Sequence, residues 1–148
     1  MKVATFKATC STSTCLSVAD VPWLSDFSYG EFLYGSVDGK EIRYYNALDC
    51  PTWKFVDEMI GELFNDHKRK RQGVTIQKII GLIADREDPD VFYTPDIYCP
   101  VCHSKIQAID LNQRTGLQEY RDLTFQKFES MDPTEKRNTI GQLIKSIL

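Results

Sequence analysis

The sequence predicts an α+β fold, with antiparallel hairpins and three to four helices in a single domain, 1–148. Three observations support this prediction. Apolar and polar residues alternate in several short stretches, as in half-buried strands. Apolar residues recur at helical spacing in longer stretches. The length of 148 residues, with 42% apolar and 26% charged residues, is typical of one globular domain and excludes a disordered chain.

The first strand is predicted at 3–9, where Val3, Thr5 and Lys7 alternate with small or apolar residues. The segment 19–29 is expected to be an irregular loop that Pro22 and Trp23 anchor to the core.

The clearest local pattern is a hairpin formed by 31–37 and 40–46. Asp38 and Gly39 separate these strands, and an Asp-Gly pair is typical of a type I′ turn. Counting back from the turn predicts three cross-strand pairs, Val37 with Lys40, Gly35 with Ile42 and Leu33 with Tyr44. One face of this hairpin should pack on the core, and the other is aromatic and half polar.

Helices are predicted at 52–70, 75–86, 125–131 and 133–147. Pro51 suits the first turn of the first helix, and Gly73 suits its end. Thr75 is expected to cap the second helix and Asp132 the last.

Two more strands are predicted near the C-terminal end, at 106–111 and 117–123, joined by a turn at 112–116. The segment 87–95 contains two prolines and is expected to form a loop or a short edge strand.

The cysteines form the one motif in the sequence that indicates a chemical function, which is metal binding. Cys99 and Cys102 are separated by two residues, a spacing that lets both sulfurs bind one metal ion. Cys10 and Cys15 offer a second pair, with four residues between them. Because no secretory leader is expected and thiols persist in reducing compartments, we expect a cytoplasmic protein.

This arrangement resembles the zinc-ribbon class over 5–16 and 96–123, where two cysteine knuckles lie at strand ends. The resemblance implies a structural Zn²⁺ ion bound by Cys10, Cys15, Cys99 and Cys102. A hairpin and two helices, about 29–90, would then be inserted between the knuckles. Whether His103 or Cys50 replaces one of these ligands stays open.

A basic run, Lys68, Arg69, Lys70 and Arg71, stands out in a chain of net charge −3. We expect it to close the first predicted helix, where cations complement the exposed carbonyl groups. The alternative is a zinc-containing regulator that binds nucleic acid through this run.

The sequence contains no nucleophile elbow, Gly-rich phosphate loop or His-Glu-x-x-His motif, so we expect no enzyme. A hydrolase or redox enzyme that uses Cys99 and Cys102 is a weaker alternative. No run of about 18 apolar residues exists that would span a membrane.

The function favoured by the sequence is therefore a cytosolic protein that binds another protein. A small acidic inhibitor, such as an immunity-type protein, has this physical character. The aromatic and polar face of the hairpin is the predicted partner-binding surface, because Tyr, Phe and Arg are enriched at interfaces. Its residues are Phe32, Tyr34, Arg43 and Tyr45.

Overall fold

The computed structural model describes residues 1–25, 29–63 and 69–147. It confirms the α+β class, with two three-stranded antiparallel sheets and four helices in these ranges. The strands are β1 (Lys2–Thr9), β2 (Val18–Pro22), β3 (Glu31–Ser36), β4 (Ile42–Asn46), β5 (Tyr93–Thr94) and β6 (Ile109–Glu119). The helices are α1 (Pro51–Leu63), α2 (Arg69–Ile83), α3 (Gln126–Glu129) and α4 (Pro133–Ile147).

The chain divides into two compact units. The sheet unit comprises Met1–Asn46 and Tyr93–Leu123, and the helical unit comprises Ala47–Phe92 and Thr124–Leu148. Each unit therefore combines two separate stretches of sequence. In the described ranges, no helix is long and apolar enough to cross a lipid bilayer.

The first sheet of the sheet unit has the strand order β2-β1-β6. The prediction of an irregular loop at 19–29 is wrong at its start, because 18–22 forms β2 at the edge of this sheet. Pro22 fits there because it is the last residue of an edge strand. Trp23 is 42% exposed, so it does not anchor the loop as predicted.

Strand β6 replaces the hairpin predicted between 106 and 123. It runs as one strand of 11 residues. Opposite it, Phe6 pairs with Arg114 and the next residue, Lys7, pairs with Asp110, so 111–113 have no partner in β1. The Asp110 carboxylate accepts a hydrogen bond from the Asn112 N–H at 3.0 Å. The turn-forming residues thus produce a bulge within a strand instead of reversing the chain.

The second sheet has the order β4-β3-β5, and its register confirms the predicted pairs Gly35–Ile42 and Leu33–Tyr44. The predicted type I′ turn is wrong, because Gly39 has φ 73° but Asp38 does not have positive φ. Instead the Asp38 carboxylate accepts hydrogen bonds from the Ser36 hydroxyl at 2.6 Å and from the Lys40 N–H at 3.1 Å. These side-chain contacts favour a wider loop over the two-residue turn.

The aromatic face of this hairpin is not the exposed surface that the sequence predicted. Tyr34 is 0% exposed and Tyr45 is 3% exposed, and their rings meet edge to face at 6.1 Å. Phe32 is half-buried and stacks on Tyr45. The Arg43 side chain forms an ion pair with Glu41. The alternation of side chains in the sequence indicated two distinct faces of the hairpin. It did not indicate that both faces are buried.

The helical unit confirms the apolar stripes of α1, α2 and α4. Their buried residues are Val56, Met59, Ile60, Ile76, Ile79, Ile80, Ile83, Ile140 and Ile144. The predicted boundary between the first two helices is wrong. The described part of α1 extends to Leu63, 64–68 lie outside the described residues, and α2, described from Arg69, continues through Gly73 and Thr75. The isoleucine stripe outweighs the cost of about 1 kcal/mol for a helical glycine.

This shift changes the meaning of the basic run. Residues 69–71 lie in the described part of α2 and continue into it, so they do not close a helix as the sequence predicted. Lys68 lies outside the described residues, as do the side chains of 69–71.

Asp85 caps the short helix α3 from a distant position in the sequence. Its carboxylate accepts hydrogen bonds from the N–H groups of Gln126 at 2.7 Å and Lys127 at 3.0 Å, and from the Thr124 hydroxyl at 2.8 Å. Burial raises the pKa of Asp85, but these hydrogen bonds outweigh burial and the pKa is lowered.

Candidate metal centre

Four cysteines converge in the sheet unit. The Sγ atoms of Cys10, Cys15, Cys99 and Cys102 all lie within 4.8 Å of one another. Two of the contacts between sulfurs, Cys10–Cys102 at 3.4 Å and Cys15–Cys99 at 3.7 Å, join residues from different cysteine pairs. A tetrahedral site with Zn–S bonds of ~2.3 Å has sulfurs about 3.8 Å apart, so this set fits a metal ion.

The cluster answers the question that the sequence left open about the ligands. Within the described residues, neither His103 nor Cys50 belongs to it. His103 is exposed, and Cys50 lies in the helical unit. The four cysteines that the sequence singled out are therefore the ones the fold brings together.

Both cysteine pairs lie in loops built on the same plan, here called the first knuckle (10–17) and the second knuckle (99–104). In the first, the Cys10 N–H donates to the Ser17 carbonyl at 2.8 Å. In the second, the Cys99 N–H donates to the Ser104 carbonyl, also at 2.8 Å. Each loop is thus closed between its first cysteine and a serine two positions beyond its second cysteine.

The backbone reverses at matching positions in the two knuckles. Leu16 follows Cys15 with φ 50°, and His103 follows Cys102 with φ 61°. Left-handed backbone is uncommon for residues other than glycine, and here it turns each loop back beneath its sulfurs. Two loops of different length therefore end with the same local geometry.

Hydroxyl groups surround the sulfurs. The Ser17 Oγ lies 3.0 Å from Cys99 Sγ and 3.2 Å from Cys15 Sγ, so it contacts one sulfur from each knuckle. The predicted site did not include this serine or Ser104. The pattern that indicates them is Cys-x-Ser, which follows the second cysteine of both knuckles.

Hydrogen bonds make two of the thiols more acidic. The Ser104 hydroxyl and N–H lower the pKa of Cys102 to about 6. The Ser17 hydroxyl and the Cys102 N–H lower the pKa of Cys99. Thiolates bind metal ions, whereas thiols do not, so these contacts favour binding at neutral pH.

Cys10 behaves differently from these two cysteines. The Thr12 N–H lowers its pKa, but burial and the neighbouring thiols of Cys102 and Cys99 outweigh that contact, and the pKa of Cys10 is raised. Without a cation, the four sulfurs disfavour a full set of thiolates. A bound divalent cation would compensate this charge.

The hairpin turn supports the second knuckle. A Cβ atom on Gly39 would lie 2.6 Å from the Cys99 carbonyl oxygen, and one on Gly35 would lie 2.4 Å from the Asp96 carbonyl oxygen. Only glycine allows such close approach of two backbones. The Asp-Gly pair, predicted as a turn alone, therefore also positions a metal-binding loop.

Comparisons with protein-family models, with curated proteins and with solved structures find no match to this chain. The resemblance to zinc ribbons is therefore limited to the cysteine cluster, and no family is assigned.

Proposed function

We propose that this chain is a non-catalytic protein in which one structural Zn²⁺ ion holds the sheet unit together, and that it acts by binding another protein. The observation that carries the proposal is the convergence of four protein thiols. Four thiolates fill the tetrahedral coordination of zinc and leave no position for water or substrate. Soft thiolate ligands also disfavour Mg²⁺ and Ca²⁺, which prefer oxygen.

The proposed ion would join parts of the chain that 83 residues separate between Cys15 and Cys99. The large aliphatic side chains of the two knuckles, Leu16 and Val101, are mostly exposed, so metal binding would contribute directly to folding. Structural zinc sites contribute on the order of 10 kcal/mol at neutral pH.

The metal experiment uses the intact protein. We expect one zinc ion per chain by elemental analysis, and a chelator should remove it with loss of the near-ultraviolet signal of the folded sheet unit. The variant Cys99→Ser should lose the metal, whereas Cys50→Ser, a control outside the cluster, should retain it. A purified protein without transition metal that keeps its structure in strong chelator would contradict the proposal.

A partner-binding role is supported by exposed aliphatic side chains beside the ligands, here called the knuckle patch. Leu16 is 61% exposed, Val18 is 60% exposed and Val101 is 67% exposed. Leu16 and Val101 each adjoin a cysteine of the cluster, so these exposed side chains lie on neighbouring loops, and exposed apolar surface of this kind favours contact with a protein partner. With a net charge of −3, the chain suits a basic partner in the cytoplasm, as an inhibitor of the immunity type would.

The partner experiment is affinity capture from the native cell with the wild-type chain and with Val101→Glu. The variant places a charge on the knuckle patch and should lose the captured protein. Leu117→Glu is the matched control, because Leu117 is 56% exposed on β6 and pairs with Ala4, farther along β1 from Cys10. Equal capture by both variants would exclude the patch as the contact surface.

Binding of nucleic acid through Lys68–Arg71 has no structural observation in its favour, since Lys68 and the side chains of 69–71 lie outside the described residues. Its distinguishing property is affinity for DNA or RNA that falls steeply with salt.

A further inference from the structure

Ser17 is the residue that connects the two knuckles at the level of the sulfurs. It belongs to the first knuckle, yet its hydroxyl lies closer to Cys99 of the second knuckle, at 3.0 Å, than to Cys15, at 3.2 Å. Its backbone is held in place as well, because its carbonyl accepts the Cys10 N–H at 2.8 Å. The hydroxyl is thus aimed at the sulfurs by the fold.

We infer that Ser17 is a positioning residue for the metal site, whose hydroxyl donates to the metal-bound sulfur of Cys99 and controls how tightly the site holds Zn²⁺. This inference rests on the proposed metal site. It adds a ligand-orienting group that lies outside the four cysteines.

The physical reason is the charge of the site. A zinc ion with four thiolates carries a net charge of about −2, and each donated hydrogen bond withdraws electron density from a sulfur. A hydroxyl has one proton, so Ser17 serves chiefly the nearer sulfur, Cys99. Cys99 is 1% exposed, so water cannot readily supply the same hydrogen bond.

The second knuckle has a serine at the matching position, Ser104, which supports a role for the hydroxyl at the metal site. Ser104 occupies the same place after Cys102 as Ser17 does after Cys15, and its carbonyl closes its own loop in the same way. Groups that orient metal ligands commonly change metal affinity by 10- to 100-fold when removed.

The experiment compares Ser17→Ala with Ser13→Ala, a control at an exposed position of the same loop. Zinc affinity is measured by competition with a chromogenic chelator, and the protein loaded with Co²⁺ is measured by absorption spectroscopy. We expect Ser17→Ala to lose about tenfold in zinc affinity. Its thiolate-to-cobalt band should move to lower energy, because the sulfur becomes a better electron donor. Ser17→Thr, which keeps the hydroxyl, should restore both.

Three outcomes are distinguishable. If Ser17→Ala binds zinc and absorbs as Ser13→Ala does, the inference is overturned while the metal site stands. If Ser17→Ala weakens zinc binding but leaves the cobalt band in place, Ser17 supports only the loop and the inference is again overturned. If the wild-type chain binds neither Zn²⁺ nor Co²⁺, the proposed function itself fails.

Discussion

Gly39 joins two features of the sequence that looked unrelated, a hairpin turn and a metal-binding loop. It has φ 73°, and its α-carbon lies against the backbone of Cys99 and Pro100. A side chain at this position would meet backbone atoms that have little freedom to move. The requirement for glycine here is therefore both conformational and steric.

Gly39→Ala should lower the free energy of unfolding of the sheet unit by about 1–3 kcal/mol and weaken zinc binding. The control is Gly141→Ala in α4, where an added Cβ meets nothing within 4 Å. That substitution should stabilise the helix by about 0.5–1 kcal/mol. Thermal unfolding of the zinc-loaded variants checks both results, and equal stability of Gly39→Ala and wild type would show that the contact is not tight.

The four ligands could be predicted from the sequence, but their supporting residues could not. Cys99 and Cys102 have a spacing that by itself indicates a metal-binding turn. Ser17 acts on Cys99, 82 positions away, and no local pattern states that the two knuckles meet. For the same reason, alternation placed Tyr34 and Arg43 on one face without showing how that face is covered.

At the scale of elements, strands and helices were predicted correctly where the apolar repeat extended over many residues. Predictions of their boundaries were wrong where two local preferences competed. Gly73 and Thr75 are typical of helix ends, yet the stripe of Ile76, Ile79 and Ile80 continues the same helix. The prediction of a turn at 112–116 was wrong for a similar reason, because pairing with β1 keeps the chain extended on both sides of the bulge.

Asp85 makes the stability of α3 depend on pH. Because its folded pKa is lowered, its contribution is present above the unfolded pKa of about 3.9 and is lost as pH falls through the folded pKa. Asp85→Asn should therefore cost about 1 kcal/mol at pH 7. The difference from wild type should shrink below about pH 4.

Urea unfolding at pH 7, 4 and 3 measures this difference. Asp90→Asn, which changes an exposed carboxylate near Asp85 in sequence, is the control. A constant difference between Asp85→Asn and wild type across this range would assign the effect to packing instead of charge.

At the scale of the whole molecule, both units are discontinuous in sequence. The sheet unit gathers Met1–Asn46 and Tyr93–Leu123, and the helical unit supplies the intervening segment. Composition and length predicted one domain, 1–148, and this stays a prediction, because two compact units can belong to a single domain. Pairing of β1 with β6 brings the two stretches of the sheet unit together.

This division predicts that a shortened chain, with Asn46 linked to Tyr93 and ending at Leu123, folds and binds one zinc ion. Asn46 lies opposite Glu31 and Tyr93 opposite Ser36, so about 17 Å along β3 and two strand spacings separate them. A Gly/Ser linker of about 12 residues spans roughly that distance. Elemental analysis and circular dichroism are the measurements, and a shortened chain that binds no zinc would show that the sheet unit depends on the helical unit.

The distance along the chain between the two knuckles also sets an order of events during synthesis. A ribosome adds about 5–20 residues per second, so Cys10 and Cys15 are made several seconds before Cys99 appears. Strand β6, which pairs with β1 in the sheet, is synthesised later still. During that interval the early thiols lack the second pair of cysteines and β1 has one unpaired edge, so newly made protein is at its most vulnerable to oxidation.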